Sequence, residues 1–412
     1  MPRSILLAAL PVLLSAVHSE ATPTTYTPSM QACVASMDGQ LPSTTPSSFN
    51  FSGNVRRYYV AAEEIEWNYA PTGWDSWLGV PLDVSPRAKE VVGSYGTTYL
   101  KALYRGYTDD TFANMTEQPP WQGTQGPTLR SEIGDMIEIL FVNKLSNNYA
   151  TMHSMGLAYN KMSEGGDYPL MPLSLAPGEC TVYKWLANEE SGPNDGSPAR
   201  AHSYHSYVDL DTDLNTGLLG PQIVYAPGQM NTTMQNYKEF PLVFMVYKES
   251  NSFLSAANAK KLYSNHTAAP SSTTWGALDT QNLWSGNYSS WHPQVVNLNS
   301  TGKFPGASSF YTMNGYIFAN NPTYQMCQND QVIWYAYAYG GASHVFHMHG
   351  NGVVDAGRKQ FAVSLNDGVS KTLYMNATDA GMWQVICHVS NHHQMGMVSN
   401  YLVQNSTTCN RG

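Results

Sequence analysis

The chain has 412 residues, of which 42% are hydrophobic, 12% aromatic and only 12% charged. Such a length accommodates two to four domains of ~100–200 residues, and the apolar share excludes wholesale disorder. Thirty acidic against 21 basic residues give a net charge of −9, which argues against nucleic acid or an anionic membrane as partner, since both select a basic face.

In chain order, Arg3 precedes an apolar run from Ile5 to Leu14, and small residues follow at Ser15, Ala16, Ser19 and Ala21. This reads as a secretory signal over residues 1–20 and predicts a secreted protein. No later stretch is apolar for long enough to span a bilayer, so the expected mature chain is soluble, with no membrane partner. Asn-x-Ser/Thr sequons at Asn50, Asn114, Asn231, Asn265, Asn287, Asn299, Asn376 and Asn405 fit that route and suggest a glycoprotein. Residues 21–55 are rich in Ser, Thr and Pro without periodicity, and read as an extended leader.

From Arg56 onward, short β-rich runs alternate with turn residues. Examples are Arg57–Ala61, Met136–Val142, Thr181–Leu186, Leu242–Val246, Val332–Tyr339 and Thr372–Met375. One helical candidate stands out, near Phe253–Tyr263, so the fold class is all-β, a set of sandwiches or barrels. The order Gly134-Asp135, strand, His153-Ser-Met155-Gly156 returns as Asn329-Asp330, strand, His347-Met-His349-Gly350. This repeat predicts two copies of one domain, at residues 56–230 and 238–405, divided near 227–237.

Five cysteines are an odd number for an oxidising compartment. Cys33 and Cys409 lie near opposite ends and could pair, with Cys180 and Cys327 as buried thiols. Cys387 has another use. His344 precedes it, and His392 and Met397 follow at Cys-x4-His-x4-Met spacing. One thiolate, two imidazoles and a weak axial thioether are the soft trigonal set that suits blue copper. The spacing lets one loop carry three ligands, and His344 arrives from an earlier strand. Zinc fits less well, because its structural sites rarely use Met.

A second set interleaves with the first. Strand alternation puts His347 and His349 on one face and points His388 away from Cys387. A further metal site beyond the cysteine strand follows, wired to the first by one peptide unit, with His153 and His205 as its partners from the first half.

With these residues, the chain resembles the multicopper oxidases, and within them the ceruloplasmin, hephaestin and coagulation-factor A-domain group. The carrying segments are Lys101–Phe112, Glu189–Pro193, His205–Asp209, Gly217–Ile223, Met313–Tyr316 and Cys387–His392, spread over residues 56–405. The resemblance implies two cupredoxin-like Greek-key domains and a type 1 copper held by His344, Cys387, His392 and Met397. It also implies a three-copper oxygen site built from four His-x-His pairs.

Here those pairs read His153-Ser-Met155, His205-Ser-Tyr207, His347-Met-His349 and Ile386-Cys-His388. By resemblance, His153 and His347 would share a type 2 copper. His205 and His388, with Met155 as a soft third ligand, would hold another, and His349 alone could not hold the last. Two or three coppers are therefore expected: the type 1 ion plus one or two more. His202 is out of phase with His205 and reads as a surface residue.

The function expected from this reading is a copper-dependent oxidoreductase. Electrons would pass from a small reductant, phenolic or a secondary-metabolite intermediate by family analogy, through Cys387 and His388 to dioxygen. Copper should be lost on acidification, because its ligands must be deprotonated. Alternatives are an electron-transfer or copper-binding cupredoxin without oxygen reduction, and a ferroxidase. Glu249 matches the place of an iron-site carboxylate in that group; the ferroxidase reading makes Glu249→Ala slow Fe(II) oxidation selectively, although such a glutamate is more often simply exposed. A homotrimeric ring is expected if the interdomain site needs two chains. No Gly-x-Ser-x-Gly elbow, phosphate-binding Lys loop or His-Glu-x-x-His motif occurs.

Overall fold

The computed structural model describes residues 28–93, 95–166, 173–193, 196–262, 308–407 and 409. The signal-like segment and Asn265, Asn287 and Asn299 lie outside the described residues, whereas Asn50, Asn114, Asn231, Asn376 and Asn405 are all exposed.

Two β-sandwiches follow one another along the chain. In the first, the sheet order is Thr98–Tyr107, Val55–Asn68, Met136–Asn143, Cys180–Leu186, Ala158–Tyr159. Its companion sheet runs Leu129–Glu132, Leu219–Tyr225, Ala199–His205, His153–Ser154. The second sandwich begins with Ser309–Met313, Tyr237–Lys248, Gln331–Tyr339 and Ser370–Asn376, extended by Val353–Asp355 and Arg358–Gln360. Its companion sheet runs Tyr324–Cys327, Val398–Gln404, Gly381–Cys387, His344–Met348, Ala362–Leu365.

The first-half strand orders recur in the second half, parallel pairs included, and the second half adds one strand at the end of each sheet. Val55–Asn68 runs parallel to Met136–Asn143 as Tyr237–Lys248 does to Gln331–Tyr339. Leu129–Glu132 runs parallel to Leu219–Tyr225 as Tyr324–Cys327 does to Val398–Gln404. The fold is all-β and duplicated.

Strand alternation explains how the halves join. In Gln331–Tyr339, Val332, Trp334, Ala336 and Ala338 point into the core of the second half, while Ile333 and Tyr335 pack on Ala199, Ala201, Ile223 and Tyr225 of the first. With both faces covered, the strand reads as a continuous apolar run. Hydrogen bonds pin the seam: the Ala201 amide donates to Thr372 Oγ1 (2.8 Å) and the Tyr374 hydroxyl to Ala199 O (3.2 Å). At Gly315, φ is +81° and an added Cβ would lie 2.4 Å from Thr124 Cγ2, so this turn between the halves needs glycine.

Several expectations are corrected. Part of the leader is folded: Pro28–Ala35 is a helix, and Met30, Cys33, Val34 and Met37 pack on Leu140, Val142 and Val182. A disulfide between Cys33 and Cys180 fastens it, and a second joins Cys327 to Cys409. The pairing of Cys33 with Cys409, and the free thiols at Cys180 and Cys327, are therefore wrong. Besides the expected helix, seen at Ser255–Leu262, short helices form at Ala88–Val92, Leu210–Thr216, Met230–Asn236 and Ser390–Gln394. Each spans only one or two turns, too short to print a helical period.

Candidate metal centre

Gly381–Cys387 delivers Cys387 to the core side of its sheet, next to Phe346 across the ladder. The following loop turns through Ser390–Gln394, which brings in His392, and returns at Met397, whose carbonyl accepts from the Cys387 amide (3.1 Å). His344 opens the neighbouring strand. Cys387 Sγ lies 3.7 Å from His344 Nδ1 and 3.6 Å from His392 Nδ1, and Met397 Sδ lies 3.2 Å from His344 Nδ1. All four residues are buried.

These distances test the fit of a metal. Bonds of about 2.0 Å to nitrogen and about 2.3 Å to sulfur, opened to about 120°, set the two donors about 3.7 Å apart. Among the described residues, His344, Cys387 and His392 are the one group of three such donors with ligand atoms within 4.8 Å of one another. Burial pushes His344 down to about 4 and lowers His392, so both imidazoles are neutral ligands at neutral pH. Burial raises the Cys387 thiol, which a bound cation would reverse. Beside this loop, the Trp77 ring of the first half sits between the Arg87 guanidinium (3.5 Å) and the His393 ring (4.0 Å).

Among the described residues the first half carries no such set. The Ser206 amide donates to Leu218 O just as Cys387 does to Met397 O. Ser206 therefore stands in the place of Cys387, and Leu218 in that of Met397. The Ser206 hydroxyl donates to Asp213 (2.7 Å), a buried carboxyl pushed up to about 7 by desolvation.

The remaining histidines fall into two groups. His153 and His205 face each other across the ladder, ring centroids 5.4 Å apart, with Tyr207 5.3 and 6.0 Å from them. His205 also meets Tyr339 of the second half at 6.0 Å and is pushed down to about 4 by burial. The other group is His347, with His349 at 5.1 Å and His388 at 5.0 Å. Among the described residues no ring contact links the two groups. Met155 is 44% exposed, turned out to solvent. Ile386, opposite His347, is buried and offers no donor.

Two readings are corrected. His202 is half-buried rather than a free surface residue: its Nε2 lies 2.7 Å from Ser191 O, and its ring fills the space beside Gly156. Glu249 is not exposed: it is fully buried, and its Oε1 accepts from Lys101 Nζ (2.6 Å) and the Tyr69 hydroxyl (2.5 Å). Sequence reasoning missed that ion pair and the Trp77 contact. The signal available for the first was a lysine amid the apolar run of Thr98–Tyr107.

Fold and site together define a two-cupredoxin protein whose second half holds, among the described residues, one soft, trigonal set of side chains able to ligate a metal. The chain belongs to the multicopper oxidase family: two family models, both described as multicopper oxidase, match residues 122–229 and 273–407, more than half of the sequence. It is 30% identical over 376 residues to human ferroxidase HEPHL1, 31% over 370 to sheep ceruloplasmin and 29% over 371 to human hephaestin. Each alignment takes in 85% of this chain but 29%, 32% and 30% of the relative. The chain thus spans about a third of the length of the curated relatives it matches.

Among solved structures, the multicopper oxidase mgLAC superposes with a TM-score of 0.53 at 13% identity, over 86% of this chain and 88% of that one. A copper nitrite reductase from Nitrosomonas europaea gives 0.53 at 16%, over 87% and 98%. At such identities these likenesses show the fold.

Proposed function

We propose that the chain is a secreted copper-dependent oxidoreductase that draws electrons from a small phenolic or secondary-metabolite reductant and delivers them to dioxygen. The observation that carries this reading is the buried triangle of His344, Cys387 and His392 with Met397 beside it. Copper bound there supplies one-electron chemistry between Cu(I) and Cu(II). Cys387 and His388 lie on opposite faces of one strand end, so a single peptide unit leads from the buried set to the outer histidines. No helix among the described residues is long and apolar enough to cross a membrane.

A specific observation also favours a narrower reading, electron relay without oxygen reduction. Three positions of the expected histidine pairs are Met155, Tyr207 and Ile386, and the surviving histidines form two separate groups in one chain. Stopped-flow mixing of the reduced protein with oxygen distinguishes the two. Rapid, copper-dependent reoxidation is expected; slow reoxidation that ignores copper would leave the relay.

A ring of three chains, joined head to tail, would bring the two groups into one site. A neighbour that repeated the contact between the halves would dock on the outer face of Met136–Asn143. By register, Glu138 and Leu140 hold there the places of Ile333 and Tyr335. That face is already covered: Met30, Cys33, Val34 and Met37 pack on it, and the Gly39 amide donates to Glu138 (3.0 Å). Ring closure would therefore require release of the disulfide-fastened leader. Light scattering of the intact chain is expected to return the mass of one chain, and a stable trimer with the leader seated would contradict this.

A further inference from the structure

We propose that His153, His205 and Tyr207 form a mononuclear copper site of two imidazoles and one phenolate, complete within a single chain. The proposal rests on the reading that the outer histidines of this fold take copper, and it changes what they do with it: not a share of a three-copper cluster, but a separate ion.

Register places the third ligand. Ser206 and Cys387 make equivalent ladder hydrogen bonds, and His205 pairs with His153 as Ile386 pairs with His347. Tyr207 therefore occupies in the first half the place of His388 in the second. Its ring completes a triangle with the two imidazoles, with sides of 5.3, 5.4 and 6.0 Å.

The hydrogen bonds then fix which atoms are free. His153 Nδ1 lies 2.6 Å from Glu164 O and His205 Nδ1 lies 2.8 Å from Ser206 O. A carbonyl can only accept, so each Nδ1 carries the proton and each Nε2 keeps the lone pair. Backbone partners that lock the tautomer in this way are the usual outer support of metal-binding imidazoles. His205 is buried at the end of its strand, whereas Tyr207 is 39% exposed, which leaves the site open on one side for water or a small molecule.

The donor chemistry selects the oxidation state. Two imidazoles with a phenolate oxygen suit Cu(II), whereas the thioether expected from the neighbouring strand would have favoured Cu(I). Binding displaces the phenol proton, so one Cu(II) enters and one proton leaves to solvent at Tyr207.

The test uses the full chain carrying Cys387→Ser, titrated with Cu(II) and followed by metal analysis, absorption and electron paramagnetic resonance. Retained copper is expected, with a phenolate-to-copper charge-transfer band. Adding Tyr207→Phe should abolish the band and weaken copper binding by at least about tenfold, the lower end of what loss of even an outer partner costs. Adding His347→Ala should leave the band unchanged. Copper bound without that band removes Tyr207 as a ligand. Loss of the band with His347→Ala means that the site is shared between the groups. If Cys387→Ser retains no copper while the wild type keeps its blue absorption, the site is overturned and the blue-copper reading stands.

Discussion

Cys387→Ser is expected to abolish the intense visible absorption of the copper-loaded chain while leaving the fold intact. The side chain is fully buried, and its polar neighbours are the Nδ1 atoms of His344 and His392. Serine is close in size, so no cavity opens in the core around Phe346 and Met397. What changes is the donor: a hard hydroxyl replaces the soft thiolate of the trigonal set. Copper affinity at this site should fall by more than about 100-fold, since loss of outer partners alone costs about 10–100-fold. Absorption and electron paramagnetic resonance report the loss, and circular dichroism reports the unchanged strands. Met397→Leu is the companion variant: the axial thioether is weak, so the band should survive and the reduction potential should shift. A copper-loaded wild type without the band would mean that His344, Cys387, His392 and Met397 are wrongly assigned.

The second-half set was legible because three of its ligands lie within eleven residues on one strand-loop-strand unit. There spacing is nearly geometry, and the fourth ligand needs only the neighbouring strand. The duplication was legible for a similar reason, since a repeated turn, strand and His-x-x-Gly element survives as local text. The disulfides were not. Cys33 is 147 residues from Cys180, and only the packing of the leader helix on the sheet decides that they meet. Composition made residues 21–55 look unstructured, yet a few apolar side chains and one covalent link are enough to seat part of that segment. The role of Tyr207 was hidden differently. Counting histidines marks it as a lost ligand, and only the register and the triangle of rings present it as a donor.

Glu249→Ala is expected to destabilise the protein rather than to slow iron oxidation selectively. Lys101 and Glu249 are both fully buried, with Nζ 2.6 Å from Oε1. The ammonium also donates to Asn215 O (2.6 Å) and lies 4.2 Å from the centre of the Tyr247 ring. Lys101 belongs to the first half, and Glu249 follows the first strand of the second, so the pair fastens one to the other. Desolvation lowers the Lys101 pKa and Glu249 offsets part of that, hence removing the carboxylate leaves the buried ammonium without its counter-charge. Breaking such a pair costs about 3–5 kcal/mol, which would lower the melting temperature by roughly 10 °C. Replacing both partners, Lys101→Met with Glu249→Leu, should recover most of that loss, because apolar substitutes of similar volume avoid the desolvation cost. Differential scanning calorimetry of the two variants measures this directly, and parallel assays with Fe(II) and an organic reductant separate stability from chemistry. An unchanged melting temperature, combined with a loss confined to Fe(II), would return Glu249 to an iron site and remove the structural role assigned to it.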